Sequence, residues 1–172
     1  LSQTHREGME KMLKKLKKIM VVAAAAVMLS AGFATVAPKE ASAHWSDTQM
    51  NWAMRNGIIT AYMADNLATR QDMWLMITRY NHGGAVNLSY DDARRHVINN
   101  GISDGSRGTN WITRSEAAAM VSQMRHYSIW SSENGFYFSD LRAKQLGIFD
   151  GTRGNDFATR AEVVTMLYNA PW

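Results

Sequence analysis

The chain has 172 residues, no cysteine and two prolines, and it is 46% hydrophobic and 20% charged, a globular composition without disulfide staples. Its formal charge of +4 belongs to the first 43 residues, which hold seven Lys/Arg against three Asp/Glu; residues 44–172 hold twelve of each, and Lys144 is the one base there that is not arginine. A neutral body argues against a nucleic-acid partner, which needs a basic surface.

The first segment reads as a secretory leader. Lys11, Lys14, Lys15, Lys17 and Lys18 precede an apolar run over residues 19–37, and "ASA" at 41–43 predicts cleavage between Ala43 and His44. The competing reading is an uncleaved anchor, because the run approaches the ~20 residues of a membrane span. The A-x-A site favours cleavage, so no stable membrane span is expected and the protein reads as exported. Met9 or Met12 is a natural start for such a leader, which would put residues 1–8 upstream of it.

From residue 44 onward the elements come in three rounds. An amphipathic helix is predicted over "DTQMNWAMRN" from Asp47, stopped by Gly57. A loop follows, and then a helix capped by Thr69 with Asp72 three residues on. After a linker at 81–87, the second round has a helix over "DDARRHVINN" from Asp91, a stop at Gly101 and the polar loop "SDGSRGTN". Its second helix is capped by Thr113 with Glu116, and a linker follows at 128–135. The third round has a short helix over "DLRAKQL" from Asp140, predicted to be the shortest of its kind, then Gly147 and the loop "FDGTRGND". Thr159 with Glu162 starts its second helix.

The rounds align without a gap as "GIITAYMADNLATRQD", "GISDGSRGTNWITRSE" and "GIFDGTRGNDFATRAE" from Gly57, Gly101 and Gly147. The repeats span 44–86, 87–135 and 136–172. A unit this small cannot enclose a core, so the three are predicted to pack together. The expected fold is mainly α, with short extended pieces at the loops.

One residue type is misplaced in every copy. Arg70, Arg114 and Arg160 follow the capping Thr directly, where the helix dipole favours acids. Free backbone N–H groups at a helix start favour an anion, and an added guanidinium supplies a forked donor for carboxylate. The alternative is a surface ion pair with the neighbouring acids, worth under ~1 kcal/mol. On the anion reading, Arg114→Ala and Arg160→Ala would weaken binding and leave the melting temperature nearly unchanged.

Together these residues resemble the S-layer homology family. Its repeat runs from an aromatic-x-Asp start through Gly-Ile and Asp-Gly to a T-R-A-E helix start. The matching pieces here are "WSD" at 45, "FSD" at 138, three Gly-Ile pairs, "DG" at 104 and 150, and "TRQD", "TRSE" and "TRAE". The resemblance covers almost all of residues 44–170. It implies a pseudo-threefold, three-pronged fold around a central helix bundle. It also implies binding to secondary cell-wall polysaccharide, often one with a pyruvate ketal, in grooves between the prongs.

On that likeness Arg70, Arg114 and Arg160 are the anion ligands. Asp47, Asp91 and Asp140 would accept sugar hydroxyls or orient the arginines, and Gly105 and Gly151 would let backbone approach the sugar. Trp45, Trp111, Phe138 and Phe157 are candidates for sugar contact, although Trp111 and Phe157, just before capped helices, fit core positions better. Copy one departs from the pattern: Thr60-Ala61 replaces Asp-Gly, which puts its site in doubt. Copy two has "SYD" for the aromatic-x-Asp.

Other classes fit poorly. Counting an EF-hand from Asp150 puts Asn155 where glycine is needed and Ala161 where an acid is needed. The histidines lack metal-ligand spacing, and there is no cysteine nucleophile or G-x-S-x-G elbow, so no metal, cofactor or catalysis is expected. A wall glycan hydrolase is the least favoured reading. Self-assembly, or contact with other cell-surface proteins, is the main alternative to glycan binding.

Overall fold

The computed structural model describes residues 43–84, 87–127 and 130–170. The chain divides into two units, 1–43 and 44–172, and the leader reading lies outside the described residues apart from Ala43. The second unit is mainly helical: α1 (Asp47–Arg55), α2 (Arg70–Asn81), α3 (Tyr90–Asn99), α4 (Arg114–Met124), α5 (Tyr137–Gln145) and α6 (Arg160–Tyr168). None of these is long and apolar enough to cross a membrane.

Local chemistry sets the helix ends. Thr69 and Thr113 accept the N–H of Asp72 and Glu116, and those acids accept in return from the capping residues' own N–H groups. Each closed box is worth ~1 kcal/mol. Thr159 accepts from Glu162 N in the same way, but the Glu162 carboxylate turns to Arg114 instead. Ser89 with Asp92 closes a further box at α3. At the other end Gly57, Gly101 and Gly147 adopt positive φ, and the next residue's N–H returns to Ala53, Val97 and Ala143.

Helix α5 differs from expectation. It opens at Tyr137, one turn before Asp140, and its nine residues equal α1, so copy three shares the shortest first helix with copy one rather than holding it alone. Counted back from the glycines, Tyr137 and Asp47 are both ten residues upstream. The early start lacks a side-chain cap, and exposed Tyr137, Phe138 and Leu141 obscure the amphipathic pattern that would have shown it.

Each second helix packs on the first helix of the next round: α2 on α3, α4 on α5, and α6 back on α1. Helix α4 also contacts α2 and α6. Ten of its eleven residues are buried, and Ala117, Ala118 and Ala119 allow close approach. Extended segments before α2, α4 and α6 meet through single antiparallel bridges, Leu67 with Thr159, Thr69 with Trp111, and Thr113 with Phe157. Their middle residues form a closed cycle. Ala68 N donates to Ala158 O at 3.0 Å, Ala158 N to Ile112 O at 2.9 Å, and Ile112 N to Ala68 O at 2.9 Å. All three residues are fully buried, so the cycle satisfies backbone groups that water cannot reach.

Candidate functional site

The three arginines do not meet a vacant helix start. The N–H groups of Arg70 and Gln71 donate to Asn110 and Gly108 carbonyls, those of Arg114 and Ser115 to Asp156 and Gly154, and those of Arg160 and Ala161 to Asn66 and Ala64. A neighbouring loop thus takes up the donors that the anion expectation required to be free. The side chains follow the same path. The Nε of Arg70, Arg114 and Arg160 donates to the carbonyls of Ser106, Thr152 and Tyr62, one residue in each loop.

Beyond Nε the copies diverge. Arg70 pairs with Glu116 and, at 3.2 Å, with Asp104; Arg114 pairs with Glu162 and, at 3.0 Å, with Asp150. Both arginine residues are buried, at 4% and 6% exposure. The pairs join residues 34 to 48 positions apart. They are internal clamps rather than the weak surface contacts of the sequence-based alternative. The acids orienting these arginines are therefore Asp104 and Asp150, not Asp47, Asp91 or Asp140. Asp104 is held below the usual carboxylate range by the Ser106 N–H first and then by its hydroxyl and Arg70. Burial pushes Asp150 up, but Thr152 and Arg114 outweigh it and leave it lowered. Burial, with the Arg107 charge, lowers Arg70.

Arg160 has neither acid. Thr60 stands where the other loops have Asp, and Asp72, one methylene shorter than Glu116 and Glu162, spends its carboxylate on Thr69 N and the Tyr90 hydroxyl. The Arg160 guanidinium donates instead to Ala61 O at 2.9 Å and Tyr62 O at 3.2 Å. Arg79, seven residues beyond Asp72, reaches the same loop at Ile58 O, 3.5 Å away, and its buried Nε has no hydrogen-bond partner. Neither arginine forms an ion pair among the described residues. Burial lowers the pKa of Arg79; the Tyr90 hydroxyl acts against this and the Arg160 charge adds to it, with burial deciding the direction.

The other expected contacts fall in different places. Asp47 accepts the His44 N–H at 2.8 Å, and Asp91 is exposed in the first turn of α3. Asp140 accepts the Ser115 hydroxyl at 2.6 Å while its buried Oδ1 has no partner, and burial raises its pKa. A raised carboxyl favours the folded state below its ordinary value of 3.8 and loses that contribution as pH climbs through the folded pKa. Asp140→Asn is therefore expected to gain thermal stability over wild type at pH 7, and the gap should shrink at pH 4 in paired melts.

Gly105 and Gly151 have φ of +70° and +77°, and an added Cβ would sit 2.5 Å from Ile98 Cδ1 and 3.0 Å from Lys144 Cδ. Packing against the preceding helix accounts for both glycines without a ligand. Phe138 packs edge-on against Tyr137. Trp111 and Phe157 are not core; they are 47% and 52% exposed.

Two open pockets lie beside the clamped arginines. One, of about 220 Å³, is lined by Arg70, Asp104, Arg107, Glu116, Trp130 and Phe136. The other, of about 700 Å³, is lined by Trp45, Arg114, Lys144, Phe149, Asp150 and Arg153, and falls in the ~300–1,000 Å³ range of small-molecule sites. Arg107 and Arg153 hold positive φ at matching loop positions, with side chains 57% and 58% exposed. They present cations to solvent where the buried pair cannot. Sequence reading passed over them, although "SRG" and "TRG" at one register carried the signal. No protein-family model matches this chain, and no curated protein or solved structure matches it.

Proposed function

We propose that residues 44–170 form three helix-loop-helix repeats around a pseudo-threefold axis. On this reading the chain is an exported, non-catalytic protein of S-layer-homology type that binds anionic, pyruvylated secondary cell-wall polysaccharide. The closed cycle through Ala68, Ile112 and Ala158 and the cyclic helix pairing support the repeat arrangement. The binding role rests on one observation: Arg79 and Arg160 converge on a single loop, and neither is ion-paired to an acid among the described residues. Two such cations suit a carboxylate, which both forks can grip. The copy-one site, doubtful by motif, becomes the strongest anion site. The grooves at Arg70 and Arg114 would serve the sugar through Arg107, Arg153 and aromatic walls, with Trp45 on the larger one.

The test is co-sedimentation with purified thick-walled bacterial walls before and after chemical removal of secondary polysaccharide. Pelleting with intact walls alone is expected; undiminished pelleting with stripped walls would overturn the reading. A second reading, self-association or contact with another surface protein, is favoured by the exposed face of α5, where Tyr137, Phe138 and Leu141 are 71%, 43% and 47% accessible. Concentration-dependent light scattering without polysaccharide would support it.

A further inference from the structure

The bridged segments before α4 and α6 carry a cleft outside the arginine grooves. Extended backbone alternates its side chains, so burying Ile112 and Ala158 turns Trp111 and Phe157 outward. Thr113 and Phe157 are bridged, yet the two rings make no contact with each other. Between them lies a cleft of about 420 Å³, lined also by Thr109, Asn110, Arg107 and Glu116. Thr109 and Asn110 are exposed, and their side chains bond to no protein group among the described residues.

The composition of this cleft selects its occupant. Aromatic faces carry negative quadrupole density and attract the weakly positive C–H faces of a pyranose ring. Free hydroxyl and amide groups on the rim match sugar hydroxyls as both donors and acceptors. Of the nearest charges, Arg107 is held at 3.4 Å by Glu116 Oε2, the oxygen that also pairs with Arg70, and it lies on the side shared with the arginine groove, so the face between the two rings is lined by uncharged groups.

The same Arg107 and Glu116 line the groove that holds Arg70. They form a wall shared by the groove and the cleft. We propose that the Trp111–Phe157 cleft is a second glycan subsite, taking a neutral pyranose residue of the polysaccharide whose acidic residue is held in the grooves. This rests on the polysaccharide reading above and extends it from a terminal sugar to a run of sugars. Trp111 and Phe157 then set how long a glycan the protein recognises.

The test uses size-fractionated fragments from partial glycanase digestion of purified secondary wall polysaccharide, which leaves its acid-labile pyruvate ketals in place, measured by calorimetry against wild type, Trp111→Ala and Phe157→Ala. Both rings are half exposed, so unchanged melting temperatures will show that the variants are folded. Each substitution is expected to weaken fragments of four or more sugars about fivefold to tenfold, leaving the shortest acidic fragment within about twofold. Equal weakening of short and long fragments would place the rings in the acidic site and overturn the inference. Unchanged affinity for long fragments in both variants would also overturn it while leaving the binding function intact. If wild type binds no fragment of any length, the polysaccharide reading falls and the subsite falls with it.

Discussion

Glu116→Ala is expected to lower the melting temperature by about 10 °C. The carboxylate is nearly inaccessible, and its loss removes the main partner of Arg70, whose side chain is 5% exposed. Breaking one side of such a buried pair costs about 3–5 kcal/mol, because the remaining charge stays out of water. In a domain of this size each kcal/mol moves the transition by roughly 3–4 °C. Asp104 at 3.2 Å softens the effect without cancelling it. Glu162→Ala should behave alike through Arg114, and Asp104→Ala, two-thirds exposed, should cost well under half as much. Thermal melts by circular dichroism decide the matter. A shift of about 2 °C or less for Glu116→Ala would mean that the Arg70 clamp contributes no more than a surface pair. The same physics revises the expectation from sequence for Arg114→Ala, which should now be destabilising.

Arg160→Ala is expected to do the reverse. No ion pair is lost among the described residues, where the Arg160 side chain bonds to carbonyls, so the melting temperature should stay within about 2–3 °C of wild type. Affinity for the anionic glycan should fall about 10- to 100-fold, the usual loss when a charge-assisted hydrogen bond is removed. A companion variant needs no cation removed. Thr60→Asp with Asp72→Glu restores to this loop the two acids present in the other copies and gives Arg160 internal partners. Binding should drop by a similar factor while the protein melts at the same or a higher temperature. Full binding by both variants in calorimetry would show that the anion is held elsewhere. A large loss of stability on Arg160→Ala alone would mean that the carbonyl contacts matter to the fold.

What the sequence made legible was local. Thr-capped helix starts and glycine stops depend on residues within one turn of each other, and the structure reproduces them. The partners of Arg70 and Arg114 were hidden because each lies in the next round, 34 to 48 residues away. A reading confined to one copy sees Glu116 beside Arg114, whereas the fold gives Glu116 to Arg70. Trp111 and Phe157 were misplaced for a related reason. A helical frame put them against the core, but the segment is extended, and its two-residue alternation buries the small Ala68 and Ala158 and the medium Ile112 instead. The copy-one loop departs from the motif at Thr60, which removes one acid, and its Asp72 is taken up by Thr69 N and the Tyr90 hydroxyl, so Arg160 lacks the acids that clamp Arg70 and Arg114.

The pairing of α1 with α6 has a temporal side. Met50 and Ala53 are fully buried in the finished molecule, but the helix that pairs with theirs leaves the ribosome only after the other five described helices. Until then the hydrogen-bonded cycle is also short of Ala158, one of its three members. Such contacts between helices far apart in the chain delay closure of this unit until α6 has been made. A nascent chain of this design keeps the face of α1 that α6 covers without its native partner until then.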